Sequence, residues 1–407
     1  MKKYEVISRR TMLALSAGAL GALGLPSGVA RAQRRGPARI ALIGCGRRGE
    51  QILPLLGDNV GVVCDVDSRR LDVATGIVGT AKRHDDYRRV LDDRGIDGVV
   101  IATPDHWHAI QACEAIEAGK DVYLETPVCL TPGDATRLVT TARNFGAVVC
   151  TGEATHWTRG EPVPYEVDEK LPDRGLTRVS CWGDDNVRGG DVTLNGPAPE
   201  ELNWEAWLGP ARWRPYNSGF LDGNARYVLG LGGGELATQG SRVFQAVLDA
   251  LGIDTLGTVR VSSRGTPSLD GFYDAPQAMR VEYYLPGEKV HIVWQQRKSS
   301  VNDQRFGARY RRDGALTTLT PLLWTEQPGP NPERRALAKS LRSWLDAMEL
   351  RPDTMPGLRR AAQSATLAAL GNIAYRVGRT VTWDADEATF PGDPIAGRLV
   401  DPPRRRV

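Results

Sequence analysis

The sequence lacks several patterns that identify common classes of protein. Its six cysteines form no Cys-x-x-Cys pair, and its five histidines show no His-Glu-x-x-His or comparable metal-ligand spacing. These absences argue against a zinc site or a cysteine-bound metal cluster. After residue 32 no apolar run approaches the length needed to cross a bilayer of roughly 30 Å. Internal repeats and low-complexity tracts are also missing beyond the N-terminal segment.

The charge balance gives no indication of a polyanionic partner. The formal net charge is +3, and residues 1–32 alone carry +4. The remaining chain is therefore close to neutral, which argues against nucleic acid or an anionic membrane surface as partner. The short basic run Arg404–Arg406 is expected to be a solvated tail. The 407 residues suffice for two domains with proper cores.

Residues 1–32 have the features of a twin-arginine export signal. Arg9 and Arg10 precede an apolar run from Met12 to Leu25, and Ala30-Arg31-Ala32 has the small-residue pattern of a cleavage site. We therefore expect an exported, periplasmic protein that uses the twin-arginine export machinery and has no stable membrane span. An uncleaved, tethered form is the alternative. Folding before export makes buried free thiols the expected state of the cysteines.

A dinucleotide-binding fingerprint follows this segment. A strand-like run from Arg39 to Ile43 leads into Gly44-x-Gly46-x-x-Gly49, a helix-like segment comes next, and Asp65 closes the following apolar run. Gly44 is expected to allow the tight turn, Gly46 to admit a pyrophosphate, and Gly49 to let helix and strand pack closely. The free N–H groups of the helix N-terminus would bind the phosphates. We therefore predict NAD or NADP as the cofactor.

The choice between the two nucleotides stays open. Asp65 should accept hydrogen bonds from the adenosine ribose and repel a 2′-phosphate, which favours NAD. Arg47, Arg69 and Arg70 could reverse this preference by binding that phosphate, or they could lie on the solvated surface. Arg48 is placed with them at the glycine turn. Because nicotinamide nucleotides are scarce outside the cytoplasm, a periplasmic protein would have to load its nucleotide before export and hold it tightly.

The rest of the chain predicts an α/β fold with two domains. Residues 33–150 alternate strand and helix signals, which indicates a Rossmann domain with a parallel sheet. Residues 151–407 carry alternating strands that predict a second α/β domain with an open, largely antiparallel sheet. The predicted strands of the two parts are 39–43, 60–64, 97–102, 121–124 and 147–151, then 177–182, 258–263, 278–284, 289–295 and 306–310.

The chain resembles the Gfo/Idh/MocA family of glucose–fructose oxidoreductase, inositol dehydrogenase and their relatives. The marks of this resemblance, in chain order, are Gly44–Gly49, Cys64–Asp67, Ala102–His108, Gly119–Pro127, the loop Trp204–Tyr216, Gly232–Leu236 and Leu370–Arg379. The resemblance implies a sugar or cyclitol substrate, oxidoreductase activity, and a homo-oligomer formed through the open sheet.

The catalytic positions depart from the family pattern. The family dehydrogenases carry Glu-Lys-Pro where this chain has Glu125-Thr126-Pro127, and an Asp and a His where it has Thr238 and Arg242. A threonine cannot replace the lysine as a proton carrier, and arginine stays protonated at working pH. A related branch, the NAD-dependent glycoside hydrolases, also lacks the lysine. Its Thr-His-Gly segment resembles Thr238-Gln239-Gly240.

Other residues are candidates for the site. His156 is the first choice for acid/base work because histidine titrates near neutrality, and Tyr165 is the second. Glu125 is a candidate for contact with cofactor or substrate, or a structural acceptor. Thr103, Pro104, Thr126 and His108 are assigned to cofactor binding, and His106 to helix capping. Asp184 and Asp185 are weaker candidates for acid/base work. Trp204, Trp207 and Trp213 could stack on a sugar ring, but for at least two of them we expect packing of the loop onto its own domain or a partner subunit.

Three functions are consistent with these features. The first is an exported NAD(P)-dependent oxidoreductase acting on a sugar-like alcohol through a relocated proton carrier. The second is a glycosidase that works by transient oxidation and elimination. The third is a nucleotide-binding protein without turnover. A Rossmann fold alone does not distinguish among them.

Overall fold

The computed structural model describes residues 36–152, 157–160, 176–186, 194–268, 272–297, 306–312, 315–321 and 332–405. The predicted export signal lies outside these ranges. Two sheets organise the described chain, one of six strands and one of eight. Most predicted strands are present within a few residues of the expected bounds. Further strands at 82–84, 157–160, 315–321 and 381–384 were not predicted.

The first sheet is parallel, with strand order β3-β2-β1-β4-β5-β6. Its strands are β1 Ile40–Ile43, β2 Val60–Cys64, β3 Lys82–His84, β4 Gly98–Ile101, β5 Asp121–Leu124 and β6 Val149–Thr151. The helices between them are α1 Arg47–Leu56, α2 Ser68–Val78, α3 Tyr87–Asp92, α4 His108–Glu117 and α5 Pro132–Phe145. This is the predicted Rossmann arrangement.

Both faces of the first sheet are covered. Ile40 and Leu42 pack on one face, in a cluster that includes Trp344. Ala41 and Ile43 pack on the other, in a cluster that includes Trp107. Two-sided burial explains why β1 reads as a continuous apolar run with no alternation.

The ends of α5 are fixed by local sequence. Thr131 Oγ1 accepts a hydrogen bond from the backbone N–H of Asp134, and Pro132 occupies the first turn. Gly146 ends the helix in the left-handed region at φ 60°. This glycine lets the chain turn directly into β6.

The second sheet is mixed and mostly antiparallel, with order β14-β9-β10-β11-β8-β12-β13-β7. Its strands are β7 Trp157–Gly160, β8 Thr177–Asp184, β9 Thr258–Thr266, β10 Ala278–Leu285, β11 Val290–Arg297, β12 Gly307–Arg312, β13 Ala315–Pro321 and β14 Val381–Asp384. Among the strands that the structure describes in this sheet, only β8 and β11 pair in parallel. The alternation in β10 buries Val281 and Tyr283 and leaves Arg280 and Glu282 on the opposite face. The predicted open sheet is confirmed.

Helices cover the apolar face of the second sheet. The helices after β8 are α6 Trp204–Leu208, α7 Ser241–Leu251, α8 Pro332–Leu350, α9 Met355–Val377 and α10 Pro394–Gly397, and a π-helical turn, Leu236–Gly240, runs directly into α7. Phe244 of α7 meets Trp294 of β11 edge to face at 5.9 Å. Leu367 and Leu370 of α9 join the same core.

The helices α8 and α9 also pack against the first sheet. Trp344 of α8 is fully buried against β1 and β5, and Leu358 of α9 belongs to the core on the opposite face. The layers around the first sheet therefore draw on residues beyond 150. The division of the chain into 33–150 and 151–407 stays a prediction.

The cysteines and the C-terminal segment complete the fold. All six cysteines are free thiols, five of them buried, as expected. The prediction of a solvated tail is wrong for Arg404 and Arg405. Arg404 pairs with Asp134 at 2.7 Å, and Arg405 pairs with Glu205 at 2.8 Å. No helix among the described residues is long and apolar enough to span a membrane.

Candidate functional site

A cleft of about 1110 Å³ lies at the carboxyl edge of the first sheet. Its floor is formed by the segments that follow β1, β2, β4 and β5, and the segment 202–231 covers it. Ligands bind at this edge in open α/β sheets, because the strand ends and helix N-termini converge there. The cleft brings together most of the predicted site residues: Gly44, Gly46, Arg47, Arg48, Asp65, Arg69, Thr103, Pro104, His108, Glu125, Thr126, Thr238 and Arg242.

Each of the three glycines occupies its position for a different structural reason. Gly44 has φ 93°, and a Cβ there would lie 2.6 Å from the carbonyl carbon of Ala102. A Cβ on Gly49 would lie 2.3 Å from the Gly44 carbonyl oxygen, so this glycine lies beneath the turn and not in the cleft. A Cβ on Gly46 would meet nothing within 4 Å. Only Gly46 borders open space, at the N-terminus of α1.

Asp65 braces the glycine turn from the neighbouring strand. Its Oδ2 atom accepts a hydrogen bond from Cys45 N at 2.7 Å, and its Oδ1 atom accepts one from Asp67 N at 2.9 Å. Burial raises the pKa of the Asp65 carboxyl, and these two N–H donors oppose the shift. The predicted contact with a ribose would therefore use the remaining lone pairs of a carboxylate that already fixes the turn.

The arginines at the Asp65 end of the cleft are paired with carboxylates. Arg69 donates to both oxygens of Asp67, at 2.9 and 2.7 Å. Burial raises the pKa of Asp67, but the hydrogen bonds from Arg69 outweigh this and bring it below its usual value. Arg70 pairs with Glu50 at 3.3 Å and with Asp222. Little free positive charge therefore remains at this position to bind the 2′-phosphate and so reverse the predicted preference towards NADP.

Further acidic groups line the same end. Asp86 caps α3 and pairs with Arg88 at 3.4 Å, and Asp85 lies 3.9 Å from Arg89. All four side chains line the cleft. Each positive charge here is thus matched by a negative one, which leaves the local field unfavourable for a phosphate dianion.

Glu125 follows β5 and is held by the glycine turn. Its Oε1 atom lies 3.0 Å from Arg48 Nε, and its side chain is 7% exposed. A Cβ on Gly152 would lie 2.7 Å from Glu125 Oε2, so β6 also closes over this carboxylate. The pair joins α1 to the end of β5 beneath the cleft. This contact fits the structural-acceptor interpretation, while the side chain still lines the cleft.

The segment after β4 is fixed by side chains that bond to the main chain. Thr103 Oγ1 donates to Gln111 Oε1 at 2.8 Å. The two ring nitrogens of His108 each lie 2.8 Å from a carbonyl oxygen, one of Thr103 and one of Pro127. His108 therefore joins the ends of β4 and β5, and α4 begins at this residue.

His106 is packed into the loop over the cleft and does not cap a helix. Its ring nitrogens lie 3.3 Å from the Leu231 carbonyl oxygen and 3.2 Å from that of Trp207. Burial lowers the pKa of His106 to about 4, against the opposing effect of these carbonyls. The imidazole is therefore neutral at pH 7, and the predicted capping role is wrong.

The two altered catalytic positions meet each other. Arg242 Nε and Nη2 each lie 3.3 Å from Thr126 Oγ1, which accepts from the guanidinium. Thr238 lies one turn before Arg242 and also borders the cleft. Position 239 faces away, because Gln239 bonds to the main chain and carboxylate of Asp184 at 2.9 and 3.0 Å.

The tryptophan-rich loop is mostly packed. Trp204 is buried and stacks on Trp207 at 4.7 Å between ring centroids, and Trp207 forms part of the cleft wall. Trp213 is 57% exposed and donates to Glu205 at 2.9 Å. Arg405, which bonds to Glu205 and to the Pro210 carbonyl, holds this loop from the C-terminal segment.

Two predicted proton carriers lie outside the described residues, namely His156 and Tyr165. Sequence reasoning also missed two residues of the cleft. Asp105 begins the 3-10 turn Asp105–Trp107, and Arg226 faces it from the covering loop. Asp105 lies in the segment Ala102–His108, which is one of the marks of the family resemblance. Its position after a predicted strand could have identified it as a site residue. Among the described residues no group of side chains suits a metal ion.

Residues 38–153 match the family model described as an oxidoreductase family with an NAD-binding Rossmann fold. The match assigns residues 38–153 to the Rossmann domain of the Gfo/Idh/MocA family. The fold agrees, since GenD2 of gentamicin A biosynthesis in complex with NAD superimposes with a TM-score of 0.58 at 20% identity, covering 88% of this chain and 99% of GenD2. The myo-inositol 2-dehydrogenase of Lactobacillus plantarum gives 0.57 at 13% identity, covering 85% and 99%.

Curated relatives match a shorter region. A glycosyl hydrolase family 109 protein of a Shewanella species is 34% identical over 212 residues, which are 48% of this chain and 42% of that protein. An α-N-acetylgalactosaminidase of Shewanella oneidensis is 30% identical over the same length and shares. The match thus spans about two fifths of the length of these relatives.

Proposed function

We propose that this protein is an NAD-dependent oxidoreductase that acts on a carbohydrate hydroxyl group. The observation that carries this proposal is the cleft itself. The open glycine turn and the covered end at which a substrate would bind lie on the floor of the same cleft. The family match, the NAD complex of GenD2 and the inositol dehydrogenase fold support the cofactor and the substrate class.

The residues present fit a dinucleotide. Gly46 leaves space beside the first turn of α1, whose N–H groups have no partners within the helix. Arg47 is exposed at the same turn and lines the cleft. The volume of about 1110 Å³ exceeds that of ordinary drug-sized sites. NAD would supply a hydride acceptor, with the pyrophosphate at Gly46 and the ribose near Asp65.

The acidic surroundings favour NAD over NADP. A 2′-phosphate would meet Asp65, Asp67 and Asp86, while the arginines beside them are already paired. Removing a phosphate dianion from water into such surroundings is unfavourable, because these carboxylates repel it and the arginines beside them are already engaged.

At the other end, Arg242 and Thr126 suit an oxygen that becomes negatively charged. The guanidinium carries permanent charge and several donors, so it can stabilise an oxyanion in a water-poor cleft. It cannot transfer a proton, because arginine does not lose one at working pH. Turnover therefore requires a separate acid/base group.

A redox–elimination glycosidase is the second candidate. The curated relatives named as glycosyl hydrolases favour it, as does the missing lysine at Thr126. Against it, Gln239 stands where that branch has its histidine, and its side chain is engaged by Asp184, away from the cleft.

One experiment separates these functions. The protein is purified, part of it is denatured to assay the released nucleotide, and the rest is followed by nicotinamide absorbance as sugars and aryl glycosides are added. Reduction of bound nucleotide by free sugars supports the oxidoreductase. Release of the aryl alcohol without net reduction supports the glycosidase. Firmly bound nucleotide that responds to neither favours a protein without turnover.

We also propose export after folding, with the nucleotide retained as a prosthetic group, and self-association through the open face of the second sheet. Replacement of Arg9 and Arg10 by lysine should leave the precursor inside the cell, folded and loaded. Unchanged periplasmic yield would contradict the export proposal. Light scattering of the mature protein measures its oligomeric state, and a monomer would contradict the proposed association.

A further inference from the structure

Asp105 is a carboxyl group in the cleft wall with one oxygen left unpaired. It begins the 3-10 turn after β4 and lines the same cleft as Thr126 and Arg242. Its Oδ2 atom is shielded from solvent and has no hydrogen-bond partner among the described residues. A buried carboxylate oxygen without a partner is costly, so this position favours a proton or a ligand hydroxyl against Oδ2.

The groups that face Asp105 come from three elements. His108 lies one turn further along the same segment, Arg226 belongs to the covering loop, and Arg242 belongs to α7. Burial raises the pKa of the Asp105 carboxyl, and the electrostatic effect of these neighbours partly opposes the shift. A carboxyl tuned in this way can gain and lose a proton closer to working pH than an exposed aspartate.

We propose that Asp105 is the catalytic acid/base of this cleft and takes the hydroxyl proton of the carbohydrate. The inference rests on the proposed oxidoreductase function. It supplies the group that Thr126 and Arg242 cannot provide. His106 does not compete for this role, since both of its nitrogens face carbonyl oxygens.

The atoms and electrons balance as follows. The O–H bond of the substrate breaks, and its proton forms a new bond to Asp105 Oδ2, which turns the carboxylate into a carboxylic acid. The hydrogen on the same carbon leaves with its electron pair to NAD, so the alcohol is oxidised to a carbonyl compound and the nucleotide is reduced. Arg242 stabilises the negative charge that develops on the oxygen.

The first test measures the protonation of Asp105 without turnover. Infrared difference spectra of the nucleotide-loaded protein are recorded as the pH is raised. Wild type should show the band of a protonated carboxyl at pH values at which ordinary aspartates are already ionised. Asp105→Asn should lack this band, and Asp222→Asn, which alters an exposed cleft carboxylate, should keep it. Wild type without the band would overturn the proposal.

The second test uses a carbohydrate that wild type oxidises. Asp105→Asn should lower kcat/KM by about 100- to 10,000-fold and abolish the acidic limb of the pH profile, with nucleotide content unchanged. Asp105→Glu should restore part of the rate, and formate should restore part of it in Asp105→Ala. His156→Ala should keep the acidic limb. Near-normal turnover by Asp105→Asn would overturn the proposal.

The two ways of failing are distinguishable. An absent carboxyl band overturns the role of Asp105 whatever the activity of the protein. A band in a protein that oxidises no carbohydrate overturns the proposed function.

Discussion

Arg242 and Thr126 are bonded to each other across the cleft, with both Nε and Nη2 of the guanidinium 3.3 Å from Thr126 Oγ1. They occupy the positions at which the family resemblance places a histidine and a lysine. The two replacements are thus spatially coupled, because α7 and the segment after β5 converge there. A fixed cation and a hydroxyl group have taken the place of two titratable groups.

This coupling predicts the effect of removing Arg242. Arg242→Ala should lower the rate of hydride transfer by about 100-fold, because a positioned donor to a developing oxyanion is lost. Nucleotide affinity should change little, since the phosphates bind at the opposite end of the cleft. Arg143→Ala, which removes an exposed arginine from α5, is the matched control. Steady-state kinetics and nucleotide titration measure both effects, and equal losses of affinity and rate would contradict the assignment.

The glycine turn predicts two different outcomes for similar substitutions. Gly46→Val should leave the fold intact and weaken nucleotide binding by at least about 100-fold, because its side chain enters space that the pyrophosphate needs. Gly49→Val should impair folding, because its Cβ would lie 2.3 Å from the Gly44 carbonyl oxygen. Thermal unfolding and nucleotide content separate the two. A Gly46→Val protein that retains nucleotide would contradict the assigned pyrophosphate site.

The acidic end of the cleft predicts nucleotide preference. Wild type should bind NAD at least about tenfold more tightly than NADP, a difference of about 1.4 kcal/mol. Asp86→Ser should narrow this ratio, because serine still caps α3 while one carboxylate is lost and Arg88 is released. Titration of nucleotide-free protein with both nucleotides measures the ratio. A stronger preference for NAD in Asp86→Ser would contradict the electrostatic argument.

The burial of His106 predicts acid sensitivity. Its pKa is about 4 in the folded protein, below the value of 6.5 for an ordinary histidine. Between these two values the unfolded chain binds the proton that the folded protein excludes, so stability falls as the pH falls from about 6.5 to about 4. The full loss could reach about 3 kcal/mol, at about 1.4 kcal/mol per pH unit.

Denaturant unfolding at pH 7 and pH 5 measures this loss in wild type and in His106→Asn. The asparagine keeps a donor near the Trp207 and Leu231 carbonyls and does not titrate. The difference in stability between the two pH values should therefore be smaller in the variant. An unchanged difference would assign the acid sensitivity to other groups.

Most strands of the first sheet could be predicted closely, because both faces of the sheet are buried and its strands form continuous apolar runs. Strand β3 was missed, since Lys82, Arg83 and His84 have no apolar pattern and form the edge of the sheet, where they pair only with β2. Strands β13 and β14 were also missed. Strand β14 pairs with β9, which is distant in the sequence, whereas β13 forms a hairpin with β12 and pairs on its other side with the distant β7.

The site residues whose positions follow from the local sequence could be predicted. The contacts that depend on separate segments coming together could not. The turn residues and Asp65 were expected from spacing alone. Three features arise only when separate segments meet. They are the ion pair between Arg48 and Glu125, the bond from Arg242 to Thr126, and the position of Asp105 in the cleft wall. The covering loop, held by Arg405, also defines a wall that no single motif encodes.

The six unpaired thiols have a consequence for how long the protein lasts in an oxidising medium. Burial raises the pKa of Cys45, Cys64, Cys113, Cys129, Cys150 and Cys181, so in the native state few thiolates meet an oxidant. Once the chain opens, all six thiols become accessible to oxidation and to non-native disulfide formation. Where that oxidation is irreversible, the persistence of the protein is governed by its rate of unfolding.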